Sequence, residues 1–186
     1  MNALLIILAI IIVIGAFIVG IYNRLVGSNI KVDAAWGDID VQLKRRYNLI
    51  GNLVETVKGY ASHEKSVFEE VTKARSVAMG ANTPAARAEA EGGLTATLKT
   101  LFAVAENYPE LKANQNFLSL QDDLEETENK IESARRYYNG VVKDFNTTRE
   151  VFPNTLIASL FSGKFPKREM FEVEREEERE VPKVEF

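Results

Sequence analysis

Val32–Tyr60 reads VDAAWGDIDVQLKRRYNLIGNLVETVKGY. Apolar side chains recur at Val32, Trp36, Ile39, Leu43, Ile50, Leu53, Val57 and Tyr60, and Arg46 stands on the same line. The steps alternate four and three residues, which places these positions on one stripe of an α-helix and leaves the opposite face polar. A stripe of this kind is the seam of a helical bundle. The same rhythm returns at Phe117, Leu120, Leu124, Thr127, Ile131, Ala134, Tyr138, Val141 and Phe145, and predicts a second long helix.

Between these segments lies a less regular leg, marked by Val67, Val71, Ala74 and Ala78 and then by Leu94, Leu98, Leu101, Ala105 and Tyr108. Gly80-Ala81-Asn82 interrupts it, and Thr83-Pro84 offers an N-cap followed by a proline at the first helical position. Asn107-Tyr108-Pro109-Glu110 marks a further restart. The first helix is expected to end near Gly59 to Ser62, with Ser62 capping the next. As helices, residues 30–61 span ~48 Å and residues 110–147 ~57 Å, while the two middle segments laid end to end reach ~60 Å. The lengths predict three long legs joined by short turns, with Thr155–Phe161 after Pro153 as a short fourth helix. The expected fold is all-α, an N-terminal transmembrane helix followed by an elongated antiparallel up-and-down helical bundle.

The transmembrane element is Ala3–Ile21, ALLIILAIIIVIGAFIVGI, which carries no charge and is long enough to cross a ~30 Å hydrocarbon core. It is too long for a signal core, lacks a basic n-region and leads into Tyr22-Asn23-Arg24 without a small-residue cleavage pattern, so it reads as a retained anchor. Arg24, Lys31, Lys44, Arg45 and Arg46 follow it and no Lys or Arg precedes it, which favours a cytoplasmic body. Gly27-Ser28-Asn29 is the expected joint between anchor and bundle. Within the anchor, Ala16 and Gly20 form a small-x-x-x-small pair able to let a neighbouring helix approach. The division is therefore 1–22 anchor, 23–166 bundle and 167–186 charged tail. That tail holds eight Glu against five Lys or Arg. It reads as a solvated segment, or as an extended arm anchored by Met170, Phe171, Val173, Val181, Val184 and Phe186.

Composition removes most chemistry. There is no Cys and one His, so typical zinc ligation and the paired Glu-x-x-His motifs of dimetal bundles have no residues to form them. His63 reads as a turn residue. No phosphate-binding loop or nucleophile elbow is present. The net charge of −4 and the lack of a basic stripe speak against nucleic acid. No cofactor is expected. Arg46 on the apolar seam needs a partner, because a buried unpaired cation is costly. Two readings stand: its stem lines the core while its guanidinium meets an acid among Asp122–Glu128, or Lys44, Arg45 and Arg46 form a basic face that grips an acidic partner. Asn114, Gln115, Asn116, Asn129 and Asn139 lie on or near the second seam, where amides fix register.

AWGDIDVQLKRRYNLIGNLVETVKGYASHE (Ala35–Glu64) resembles the LemA family of bacterial membrane-anchored helical proteins. The likeness continues in YNRLV (Tyr22–Val26), TKAR (Thr72–Arg75), NYPELKANQNFLSLQDDLEETENKIESARRYYN (Asn107–Asn139), DFNT (Asp144–Thr147) and the closing FP, SGKF and VPKVEF pieces. It implies a four-helix bundle on a single membrane anchor and no particular reaction. Family members usually carry proline where this chain has Gly51, and the acidic run Glu172–Glu180 is heavier than usual.

The expected function is that of a non-enzymatic, self-associating scaffold in the bacterial cell membrane, single-pass, with the bilayer and a second copy as partners. The alternative is a regulatory adaptor that binds another membrane protein (a protease, transporter or signalling kinase) through the basic face.

Overall fold

The computed structural model describes residues 2–171, which contain six helices and no strand. They are α1 (Asn2–Lys58), α2 (Lys65–Gly80), α3 (Pro84–Ala105), α4 (Pro109–Lys112), α5 (Gln115–Glu150) and α6 (Asn154–Leu160). The all-α class and the long apolar N-terminal helix are as the sequence implies. The chain divides into two compact units, one built from residues up to Asp40 with Ser133–Met170, the other from Val41–Glu132 with Phe171.

In the first unit, every residue of α1 from Ala3 to Gly20 is exposed. Only 6% of the most apolar 18-residue window is buried, so this segment is not the core helix of a soluble fold. Burial begins at Ile21 and continues through Leu25, Val32, Ala35 and Ile39. These side chains share a core with Tyr138, Val142 and Phe145 of α5, with Ala158 of α6 and with Phe165. Trp36 packs on Tyr138 at 5.4 Å between ring centroids, and the two helices run antiparallel.

Gly27-Ser28-Asn29, expected as a joint, lies inside an uninterrupted helix. Leu25 and Val32 on either side are fully buried, and Asn29 Oδ1 accepts from Nε and Nη2 of Arg168 at 3.0 and 2.9 Å. Packing on both flanks outweighs the modest helix penalty of one glycine and one serine.

Arg168 belongs to an extended strap, residues 165–171, that follows α6. A strap without helix or sheet partners turns to side chains or water for its backbone hydrogen bonds. Asn146 does this in both directions: its Nδ2 donates to the Arg168 carbonyl at 2.9 Å and its Oδ1 accepts the Arg168 N–H at 3.0 Å. Arg149 Nε donates to the Phe165 carbonyl at 2.7 Å, and the Tyr138 hydroxyl to the Glu169 carbonyl at 2.9 Å. Arg168 Nη2 reaches Asp33 at 2.8 Å. Phe165 and Phe171 are buried, and Met170 is half-buried. Of the arm anchors read from sequence, Val173, Val181, Val184 and Phe186 lie outside the described residues.

In the second unit, α2 and α3 do not continue one another as halves of one leg. They pack side by side as a hairpin. The chain reverses at Ala81–Thr83, where both end residues are extended. Thr83 caps α3 by accepting from the Ala86 N–H at 3.2 Å, with Pro84 at the first helical position. Arg87 Nε donates back to the Ala81 carbonyl at 2.9 Å and closes the turn. With the segments of α1 and α5 in this unit, the hairpin completes a four-helix layer around Leu43, Ile50, Leu53, Val71, Leu94 and Leu101.

Two boundaries also differ from expectation. α1 stops at Lys58 and α2 begins after Glu64 with no side-chain cap, so Ser62 does not cap it. The segment read as one helix over 110–147 is split by Ala113-Asn114. Asn114 Oδ1 accepts the Phe117 N–H at 3.1 Å as the start of α5, while its Nδ2 donates to the Tyr60 hydroxyl at 2.9 Å.

Because Asn146 alone satisfies both backbone groups of Arg168, Asn146→Ala should lower stability by about 1–3 kcal/mol. It should also speed amide exchange at Arg168 in the detergent-solubilised chain. Tyr138→Phe, which removes one strap hydrogen bond, should have the smaller effect.

Candidate functional site

The seam of α1 carries Arg46 into the second unit with only 5% exposure. Its guanidinium is met from two helices. Arg46 Nη1 donates to Glu91 Oε2 at 2.8 Å and lies 3.3 Å from Glu128 Oε2, and Nη2 donates to Thr95 Oγ1 at 2.9 Å. Glu91 is itself 7% exposed, and its other oxygen accepts from the Tyr47 hydroxyl. Glu91 thus faces two neighbouring residues of α1 at once. Burial, the hydrogen bond to Glu91 and the negative charge of Glu91 all push the Tyr47 hydroxyl well above its ordinary range; Arg87 pulls the other way and does not prevail. Tyr47 therefore stays protonated and works as a donor.

The expected acid for Arg46 lay among Asp122–Glu128. Glu128 is there, but the shorter contact is Glu91, which sequence reasoning passed over. The signal was present: Arg87, Glu91, Leu94, Leu98, Leu101 and Ala105 continue one alternation of four and three along α3. Two charged residues on that line match the one on α1.

The three basic positions do not stay together. Arg46 is withdrawn into the core, while Lys44 and Arg45 are exposed. Arg45 Nη2 donates to Asp123 at 3.2 Å and lies 3.6 Å from Glu126. Glu126 also accepts from Lys130 at 2.6 Å, and that hydrogen bond holds its carboxyl below the usual range. These exposed pairs contribute little to stability, because water and salt screen them. Ala16 and Gly20 sit on the exposed surface of α1, and a Cβ built at Gly20 meets nothing within 4 Å. His63 is exposed in the turn before α2.

The outer face of the α2–α3 hairpin holds an open groove of about 720 Å³, where small residues such as Ala74, Gly80, Ala90 and Gly93 stand beside the charged Glu70, Lys73 and Glu89. Val77 is more than half exposed, and a Cβ at Gly93 meets nothing within 4 Å. Among the described residues, no group of three or more His, Cys, Asp or Glu is placed to hold a metal ion. The chemistry of the polar cluster is internal: it neutralises a buried cation and ties α1 to α3 and α5.

Comparison with known proteins gives one family match, described as the LemA family, over residues 35–186. Among curated proteins, the chain is 26% identical over 177 residues to the magnetosome proteins MamQ 1 and MamQ 2 of Paramagnetospirillum magneticum, covering 81% of this chain and 64% of each relative. It is 25% identical over 169 residues to magnetosome protein MamQ of Magnetospirillum gryphiswaldense, covering 77% of this chain and 62% of the relative. The match thus spans somewhat under two thirds of these relatives' length.

Two outcomes test the cluster. Glu91→Leu leaves the buried Arg46 with only Glu128 and Thr95 and should cost about 3–5 kcal/mol, whereas adding Arg46→Met should restore most of that loss in urea unfolding. The second concerns pH. The Tyr47 hydroxyl is raised above its ordinary value of 10.0. Below that value, folded and unfolded chains both hold the proton; above it the unfolded chain ionises first and gains the advantage. Stability should therefore fall as pH climbs past about 10, less steeply in Tyr47→Phe.

Proposed function

This chain belongs to the LemA family, and from that premise we propose that it is a non-enzymatic scaffold, anchored by Ala3–Ile21 in the bacterial cell membrane as a single pass, that self-associates there. The observation that carries this reading is the open, small-residue groove between α2 and α3. Its alanines and glycines let another backbone come close, and Glu70, Lys73 and Glu89 in the same lining offer charges of both signs to a second copy. Ala16 and Gly20 supply a comparable contact in the anchor. The buried Arg46–Glu91–Tyr47 cluster supports a structural reading, since its hydrogen bonds are spent on one another. The relatives' names place them at magnetosomes and name no reaction, which favours the same view. Arg24 and Lys31 just beyond the span favour a body on the cytoplasmic side.

The adaptor reading relies on Lys44, Arg45 and Arg46 as a shared basic face. It is the weaker of the two, because Arg46 is buried and Arg45 is engaged by Asp123.

Self-association is tested on the membrane-embedded chain, whose lack of cysteine makes single substitutions clean probes. Gly93→Cys and Gly20→Cys should each give crosslinked dimers in native membranes. Gly93→Leu and Gly20→Leu add side chains at exposed positions where a Cβ meets nothing within 4 Å, so a shift toward monomer in these variants reports a contact with a neighbour. Monomers over a wide concentration range with no crosslinks would sink the scaffold reading. Lys44→Glu with Arg45→Glu should leave dimers intact; loss of a copurifying membrane protein in that variant would favour the adaptor instead.

A further inference from the structure

We propose that α6 and the turn before it form a second membrane contact, a short apolar face that lies in the headgroup region of the bilayer that α1 crosses. The inference rests on the reading of Ala3–Ile21 as the membrane span.

The first observation is the face itself. Phe152, Leu156 and Leu160 are spaced by four and are 78%, 60% and 78% exposed, while Asn154 and Ala158 on the other side are buried. Val151 and Phe161 extend the exposed apolar surface. Two large apolar side chains facing outward on a helix of seven residues, with a third in the turn before it, make an exposed apolar patch that water does not favour.

The second observation is the level at which this face sits. Trp36 of α1 packs on Tyr138 of α5, and the two helices are antiparallel. Twelve residues on from Tyr138 is Glu150, the end of α5, and twelve back from Trp36 is Arg24. Both steps cover about 18 Å, so α5 ends level with Arg24, within one turn of the last residue of the apolar span. Val151, Phe152 and α6 follow at that level.

The third observation is contact with the anchor's own boundary residue. Tyr22, the first residue after the span, meets Phe161 at 5.2 Å and Phe165 at 5.6 Å between ring centroids. Lys164 Nζ lies 5.0 Å from the centroid of the same ring and donates to its hydroxyl. Tyrosine and lysine at this depth are the residues that partition to a membrane interface. Arg24 and Lys164 are exposed beside the apolar face and suit anionic headgroups. The lipid-facing surface of α1 therefore continues through Tyr22 and Phe161 onto α6, and the bilayer is the occupant that continuity selects.

The test uses the full chain in vesicles of phosphatidylcholine and phosphatidylglycerol, with bimane attached to single cysteines at Val19, Leu156, Leu160 or Glu125. Acyl chains brominated near the headgroup end serve as the quencher. Val19 marks the span close to its headgroup end, and Glu125 is an exposed residue on α5 outside the α2–α3 groove. Bimane at Leu156 and Leu160 should emit to the blue of the Glu125 probe and be quenched to at least about half the extent seen at Val19, as an interfacial depth of roughly 5–10 Å requires. Water-like emission at Leu156 and Leu160 with strong quenching at Val19 overturns the proposal and leaves the anchor standing. Blue-shifted emission without bromine quenching, lost on diluting the protein in lipid, assigns the face to a second chain and also overturns it. No quenching at Val19 removes the span and this inference together.

Discussion

A guanidinium on the apolar seam of a helix is the constraint around which the second unit is arranged. Arg46 cannot be left in a core without opposite charge, because the desolvation penalty of an isolated ion is several kcal/mol. One acid is too few to satisfy a planar group with five donors. Glu91 and Thr95 come from α3 and Glu128 from α5, so two further helices must pass within hydrogen-bond reach of one residue of α1. That requirement fits a folded-back α2–α3 hairpin, since a middle leg drawn out in one line leaves no reason for its second half to return beside Arg46. Tyr47 adds its hydroxyl to the same carboxylate, and the cluster closes on itself.

Most of the helical content was legible because the alternation of four and three is a direct imprint of one buried face. Val32, Ile39, Leu43, Ile50, Leu53 and Val57 are all buried as read, and so are Phe117, Thr127, Ile131, Tyr138 and Phe145. The direction of the chain between helices was not legible in the same way. Periodicity reports which face of a helix is covered and is silent on what covers it. Segments 63–79 and 84–106 therefore read as one leg laid end to end, and nothing in their periodicity marks them as lying side by side. The deciding facts are local to a turn, the extended conformations of Ala81 and Thr83 and the Arg87 hydrogen bond to the Ala81 carbonyl. The candidate site was half legible for a related reason. Arg46 stood out as a charge on an apolar line, whereas Glu91 stood out only if the line on α3 was extended back past Leu94.

The strap illustrates the opposite case: over Lys167–Phe171 the reading as a docked arm fits and the solvated one does not. Lys167–Met170 has the composition of a solvated segment, and composition weighs only what a segment offers to a core. Here the strap is also held from the other side, by Asn146, Arg149 and Tyr138 on α5, whose amide, guanidinium and hydroxyl serve its backbone. Asn29 acts likewise through Arg168 and belongs to the very triplet that read as a joint. A polar residue on a helix can thus mark a docked neighbour as well as a solvated face, and the sequence of the helix alone does not separate the two.

Gly51 connects this logic to the family pattern. An amide at position 51 points to the carbonyl of Tyr47 in the helical repeat, and a proline there would leave that carbonyl without its usual donor. Arg75 of α2 already supplies another: its Nε donates to the Tyr47 carbonyl at 2.8 Å, and its guanidinium lies 3.8 Å from where a side chain at Gly51 would begin. The same residue of TKAR therefore serves the chain with or without the proline. With glycine the helix stays unbroken and the Arg75 contact becomes an added tie between α1 and α2; with proline it would be the replacement for a missing hydrogen bond. Tyr47 then joins α1 to α2 through its carbonyl and to α3 through its hydroxyl, next to an Arg46 that joins α1 to α3 and α5. Two consecutive residues of one helix hold the other three, and a small or kinked residue at position 51 is tolerated because the helix at that point is secured from outside.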